Sequence, residues 1–185
     1  MKQEMTKSDR NLLAALWVIV GVLARLLPHP PNVTPLTSIS LFGGTQLSAR
    51  FAFFITFSAM ILSDLLLAQL QGHAAFGYWS LFTYSGFAAV ILAGRLLRAN
   101  PSVARTFALL LGSSVGFWLW TNFGTWLVSG MYTRDLAGLA TCYVAALPFL
   151  ANSVAGDLIF GAVFFLSFAG ARKLAPRYGW AVQGA

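Results

Sequence analysis

The sequence predicts an all-α integral membrane protein, a single domain over residues 1–185 with six transmembrane helices and both termini in the cytoplasm. Of its 185 residues 58% are hydrophobic and only 9% charged, where a soluble domain carries about 25% charged residues. Apolar runs of near-membrane length recur along the whole chain. The basic residues divide unevenly between the two sides that those runs define. A single cysteine among 16 Phe and 6 Trp excludes a disulfide scaffold.

The elements follow in order. Residues 12–27, 51–70, 76–97, 104–128 and 153–171 each approach or exceed the ~20 residues that cross a ~30 Å hydrocarbon core. Residues 33–49 are short, with Pro35 early and Gly43-Gly44 inside, and residues 136–150 are shorter still and contain Pro148. Charge decides between these two. If 33–49 spans and 136–150 does not, Lys2, Lys7, Arg10, Arg50, Arg95, Arg98, Arg105, Arg172, Lys173 and Arg177 face the cytoplasm, ten of twelve. The opposite choice puts seven inside and five outside. The positive-inside rule selects the first arrangement, with 136–150 as an outer helix or re-entrant segment. A cleaved signal peptide over 1–27 is the alternative for the first span, but Val22-Leu23-Ala24-Arg25 is a poor small-residue cleavage site. Pro101 is placed to start a helix after the tight cytoplasmic turn at 98–102.

Topology sorts the remaining polar residues by depth. Arg25, His29, Asp64, His73, Arg134, Asp135 and Asp157 all fall in the outer half, with Thr34, Ser38, Asn122 and Asn152 at similar depth. An ionisable group within a span costs several kcal/mol unless paired or hydrated. Pairing of Asp64 or Asp157 with a snorkelling Arg25 would account for single residues; the clustering of the set predicts a polar cavity open to the outside. Tyr78, Trp79, Tyr84, Trp118, Trp120, Trp126, Tyr132 and Tyr143 occupy the same level, whereas the cytoplasmic ends hold only Tyr178 and Trp180. An interfacial aromatic belt is two-sided, so this asymmetry assigns some of the rings to a pocket for a large, partly apolar ligand.

Several chemistries are excluded by motif. The chain has no phosphate-binding loop of the Gly-x-x-x-x-Gly-Lys type, no His-Glu-x-x-His zinc motif and no Gly-x-Ser-x-Gly elbow. Two histidines 44 positions apart are a weak metal signal. Orientation accounts for the basic residues, so nucleic acid is not an expected partner.

The segments Arg25-Leu-Leu-Pro-His-Pro-Pro-Asn-Val-Thr-Pro35, Leu41-Phe-Gly-Gly44 and Ser63-Asp-Leu-Leu66 resemble a family of small six-helix bacterial membrane proteins. The run Thr121-Asn-Phe-Gly-Thr-Trp126, Gly130-Met-Tyr-Thr-Arg134 and Cys142-Tyr-Val-Ala-Ala-Leu-Pro148 to Gly156-Asp157 continues the resemblance, which covers residues 10–171. That family is related to the substrate-binding S-components of energy-coupling-factor vitamin transporters, and is closest to the solitary BtuM-type cobalamin transporters.

The resemblance implies an S-component-like bundle in the bacterial cytoplasmic membrane, with a vitamin pocket near the outer face and no enzymatic activity. The implied cargo is cobalamin or a related corrinoid, and the protein needs no cofactor of its own. His29, Asp64 and Tyr84 are the pocket positions carried over. With them, Arg25, His73, Tyr78, Trp79, Ser80, Asn122, Trp126, Tyr132, Arg134, Tyr143, Asn152 and Asp157 form the expected binding set. BtuM-type proteins ligate cobalt with a cysteine in the outer loop before the fourth span. Here that loop offers His73 and Ser80, and the sole cysteine is Cys142 on the outer helix. An imidazole ligates cobalt well and a hydroxyl poorly, so His73 is the expected axial ligand, ahead of Ser80 and Cys142. Docking on a shared energising module uses small residues four apart on the first helix. Ala14 and Gly21 are seven apart around Val18, which leaves a solitary transporter open. The alternatives are an S-component for another vitamin, or a membrane enzyme using Asp64, Asp157 and His29.

Overall fold

The computed structural model describes residues 7–100 and 102–174, with side chains over 16–100 and 102–170. These residues form six helices and no strand: α1 (Lys7–Leu26), α2 (Leu36–Gln46), α3 (Ala49–Gln71), α4 (Tyr78–Ala99), α5 (Val103–Val128) and α6 (Leu136–Leu174). Among the described residues, four stretches are long and apolar enough to cross a membrane: Ala49–Gln71, Tyr78–Ala99, Val103–Val128 and Leu136–Gly170. The surface around them is rich in exposed apolar side chains, with Leu70 74%, Leu81 69% and Leu166 71% exposed.

Two elements differ from expectation. The outer helix at 136–150 and the span at 153–171 are one helix of 39 residues, α6, which runs through Pro148. Proline removes one backbone donor, but in apolar surroundings every other N–H and C=O is best satisfied by staying helical. Ser153 on the next turn donates to the Phe149 carbonyl at 2.9 Å. Second, the expected span at 33–49 contains a helix of only 11 residues, α2. At 1.5 Å per residue it is about 16 Å long, roughly half a hydrocarbon core.

This short helix lies at the centre of the bundle, and residues 36–45 are all buried. Leu36 packs with Ala59, Met60 and Phe87; Ile39 with Ile55; Leu41 with Val90 and Leu110. Its hydroxyls are satisfied internally. Ser40 donates to the Leu36 carbonyl at 2.7 Å, and Thr45 reaches both the Leu41 carbonyl and, across the interface, that of Gly94. Among the described residues no buried side-chain polar atom lacks a partner.

Helices α2 and α4 meet backbone to backbone. A methyl group at Gly44 would strike the Ile91 carbonyl, and one at Gly94 would strike the Leu41 carbonyl and come within 2.9 Å of the Gly44 Cα. Small residues permit such approaches, which give van der Waals contact where lipid supplies no hydrophobic drive. Gly21 likewise brings α1 onto α3, a methyl there lying 2.9 Å from the Ala59 Cβ.

Turn chemistry shapes the end of the bundle that carries Arg25. Val33 N–H bonds to the Pro30 carbonyl at 3.0 Å, and Asn32 has φ 63°. Pro31 then Asn32 supply the two central positions of a type II turn. Gly72, at φ 71°, ends α3 with its N–H on the Ala68 carbonyl, the left-handed position that favours glycine. Asp135 caps α6, taking the Gly138 N–H at 2.7 Å and the Thr133 hydroxyl at 2.9 Å. These bonds, the Gly138 amide foremost, hold its carboxyl below the usual carboxylate range. The cap is complete at neutral pH and is lost as acid protonates the group.

Gly44→Ala and Gly94→Ala are expected to destabilise the protein by about 1–3 kcal/mol each, because the obstruction is backbone and the helices must part. Gly112 on α5 faces open space, so Gly112→Ala serves as the neutral control. Thermal melting monitored by size-exclusion chromatography in detergent reads the difference.

Candidate functional site

The last turn of α1 carries Arg25, where unpaired helix carbonyls favour a cation. Its Nη1 lies 2.6 Å from Asp64 Oδ1 and 2.6 Å from Ser63 Oγ, both on α3, with the Met60 carbonyl at 3.4 Å. From α4, the Tyr84 hydroxyl donates to the other carboxylate oxygen, Asp64 Oδ2, at 2.8 Å. One carboxylate therefore ties three helices together. The ion pair is not sealed off, since the Arg25 and Asp64 side chains keep 22% and 15% of their surface exposed.

Beside this cluster is a cavity of about 370 Å³, lined by Arg25, Asp64, His73, Trp79, Ser80 and Tyr84, and completed by Leu67, Ala74, Ala75 and Thr83. The loop between α3 and α4 forms one wall. His73 sets Nδ1 3.0 Å from the Ala74 carbonyl and Nε2 2.9 Å from Gln71 Oε1. Ser80 has a local task too, its Oγ accepting the Gly77 N–H at 3.1 Å at the start of α4. Tyr84 is set between the rings of Phe57 and Phe76, with centroids at 5.7 and 6.4 Å.

Six residues of the expected binding set thus converge on one cavity. The others do not join it. His29 is exposed and bonds through Nδ1 to the Leu27 carbonyl at 2.6 Å, and Tyr78 is 83% exposed at the start of α4. Asn122 donates to the Trp118 carbonyl, Trp126 to that of Thr133, Tyr143 to that of Leu119 and Asn152 to that of Pro31. Tyr132 is half-buried and Arg134 exposed in the segment before α6. Asp157 is buried elsewhere in the core, with Ser114 Oγ at 2.6 Å. Cys142 is buried, 1% exposed, with its Sγ 3.5 Å from the Asn122 carbonyl. Asp64, Asp157 and His29 therefore have separate partners and form no common constellation.

Sequence reasoning missed Ser63, which shares the Arg25 guanidinium, and the liners Leu67, Ala74, Ala75 and Thr83. A signal for two of them was available. Leu67 follows Asp64 by three positions and Thr83 follows Trp79 by four, which places each pair on one helix face. Chemically the site presents a net-neutral polar wall. Both Asp64 oxygens are engaged, while the bonds described use only Nη1 of Arg25, a side chain with five N–H donors. Such a wall suits a ligand rich in carbonyl or amide oxygens, and Trp79 adds an apolar face.

The ion pair makes a stability prediction. Removing one partner strands a half-buried charge, so Arg25→Ala and Asp64→Ala are each expected to cost about 1–3 kcal/mol, below the fully buried case because water reaches both groups. The double variant is expected to cost less than the sum, a coupling that a double-mutant cycle on melting temperature reads.

No curated protein and no solved structure matches the chain. The profile of the family described as "Family of unknown function (DUF6580)" matches residues 5–178, more than nine-tenths of the sequence, and the chain belongs to that family.

Proposed function

We propose that this protein binds a vitamin in the cavity beside Arg25 and Asp64 and imports it across the bacterial cytoplasmic membrane in the manner of an S-component. In this reading six segments cross the bilayer, α2 together with its flanking residues among them, and both termini are cytoplasmic. One observation carries it: α1, α3, the following loop and α4 bring Arg25, Asp64, His73, Trp79, Ser80 and Tyr84 around a single cavity, at the end that the charge distribution assigns to the outside. A binder needs a lined cavity with a few placed polar groups, and this is what the residues supply.

The proposed cargo is cobalamin or a related corrinoid, whose amide-rich rim matches the neutral polar wall. His73 is the group placed to approach cobalt, once its Nε2 leaves the Gln71 amide. Ser80 would touch the corrin from its capping position. Size favours a second reading. A cavity of about 370 Å³ lies near the lower end of the roughly 300–1,000 Å³ that encloses drug-sized ligands. A corrinoid is larger and would enter by one edge, whereas a smaller vitamin would be enclosed. Gly21 is committed to the α1–α3 contact, which favours a solitary transporter over docking of that residue on an energising module.

Protein purified from cells given cobalamin is expected to carry the absorbance of a bound corrinoid, with His73→Ala weakening binding by about tenfold, or ~1.4 kcal/mol. Ser80→Cys is expected to tighten binding and move the visible bands toward thiolate-bound cobalt. Colourless protein that gains the mass of a smaller vitamin in native mass spectrometry would select the second reading, and protein that binds neither would overturn both. Orientation is tested separately. With native Cys142 buried, a cysteine introduced by Asn100→Cys should label only from the cytoplasm and one introduced by His73→Cys only from outside.

A further inference from the structure

The binding site leaves one buried acid unused. Asp157, on α6, is 3% exposed. Its surroundings are hydroxyls: Ser114 Oγ of α5 lies 2.6 Å from Oδ2, Ser38 Oγ of α2 donates to the Asp157 backbone carbonyl at 2.8 Å, and the buried Thr37 of α2 is near the carboxyl group. Among the described side chains, the helices packed around it bring no charge to it. Helix α2 contains no ionisable residue. The one ionisable residue of α5, Arg105, is exposed at its first turn and bonds to the Asn100 carbonyl. Arg25 of α1 is engaged by Asp64. On α6 itself, Arg172 and Lys173 lie fifteen and sixteen positions further along, about 22 Å on the helix axis.

Counting protons shows what this arrangement asks of the carboxyl group. Ser114 Oγ is 2.6 Å from Asp157 Oδ2 and also 3.0 Å from the Leu110 carbonyl. A serine hydroxyl carries one proton, and a carbonyl can only accept. If Asp157 were ionised, both neighbours would be acceptors competing for that single proton. If Asp157 carries a proton, its O–H donates to Ser114 Oγ and Ser114 donates onward to Leu110. Both contacts are then hydrogen bonds, and no net charge sits in the core, where an unpaired carboxylate is costly.

We propose that Asp157, with Thr37, Ser38 and Ser114, forms a proton-binding site in the core of the bundle. Its proton joins α5 to α6 through Ser114, and its release loosens that contact beside α2. The bond that forms and breaks is the carboxyl O–H; the proton comes from water and returns to it.

The test needs no ligand and so is independent of the vitamin reading. Protein labelled with carbon-13 at its aspartate carboxyl groups is examined by infrared spectroscopy from about pH 6 to about pH 9, the range in which a retained acid separates from ordinary carboxylates. At neutral pH the wild type is expected to show one protonated-carboxyl carbonyl band, which diminishes as pH rises and is absent from Asp157→Asn. The folded state then holds a proton that the unfolded state releases, so melting temperature falls with rising pH. Asp157→Asn, whose amide replaces the donor, is expected to keep the neutral-pH melting temperature and lose that slope. A wild-type spectrum showing only carboxylate bands at neutral pH would overturn the proposal, whether or not the variant folds. A band that persists unchanged in Asp157→Asn would overturn it equally.

Discussion

The bundle depends on burying a helix that has no apolar face of its own to spare. Helix α2 is enclosed on every side over residues 36–45, yet four of those ten side chains are hydroxyls and two are hydrogen atoms. A segment of that composition is stable inside a bundle only when each polar group is paired within the protein. The consequences spread outward. Thr45 needs the Gly94 carbonyl, which requires α4 close enough to touch. Gly44 and Gly94 allow that approach, and Ser38 pins the opposite end of α2 to α6 through the Asp157 carbonyl.

With α2 in the middle, the longer helices are spaced around it and their polar residues are sorted into two kinds of environment. Toward one end, Arg25, Ser63, Asp64 and Tyr84 form a charged but water-reached cluster beside a cavity. In the core, Asp157 meets only hydroxyls. The two acids are chemically alike, and the difference lies in whether a cation is within reach. A partly exposed ion pair is cheap to form and adds little stability, so it can be spared for a ligand. A charge in the dry interior could be tolerated only at great cost. The same residue type therefore lines a water-reached cavity at one place and lies among hydroxyls in the core at the other.

Much of the fold was legible because lipid imposes simple rules on sequence. Residues 51–70, 76–97 and 104–128 read as spans, and the helices found there differ by no more than two residues at any end. Pro148 misled because a proline reads as a boundary in water, whereas inside an apolar bundle one missing donor does not repay breaking a helix. The short α2 was hidden because a buried polar helix and a weak span share the same composition. At the site, the pairing of Arg25 with Asp64 was legible from unpaired charges at one depth. The scattering of Asn122, Trp126, Tyr143 and Asn152 onto backbone carbonyls was not, since depth says nothing about which way a side chain turns.

By itself, then, the sequence determined that this is a helical membrane protein and which of its ends gathers acids, histidines and aromatic rings, because hydropathy and charge act residue by residue along a chain. Only the tertiary structure decided that Arg25, Asp64, His73, Trp79, Ser80 and Tyr84 share one cavity while Asp157 lies apart in the core. That choice is made by helix rotation and closest approach. Those in turn are set by the Gly44–Gly94 and Gly21–Ala59 contacts, between residues 38 or more positions apart in sequence, and no local pattern encodes which small residue will face which.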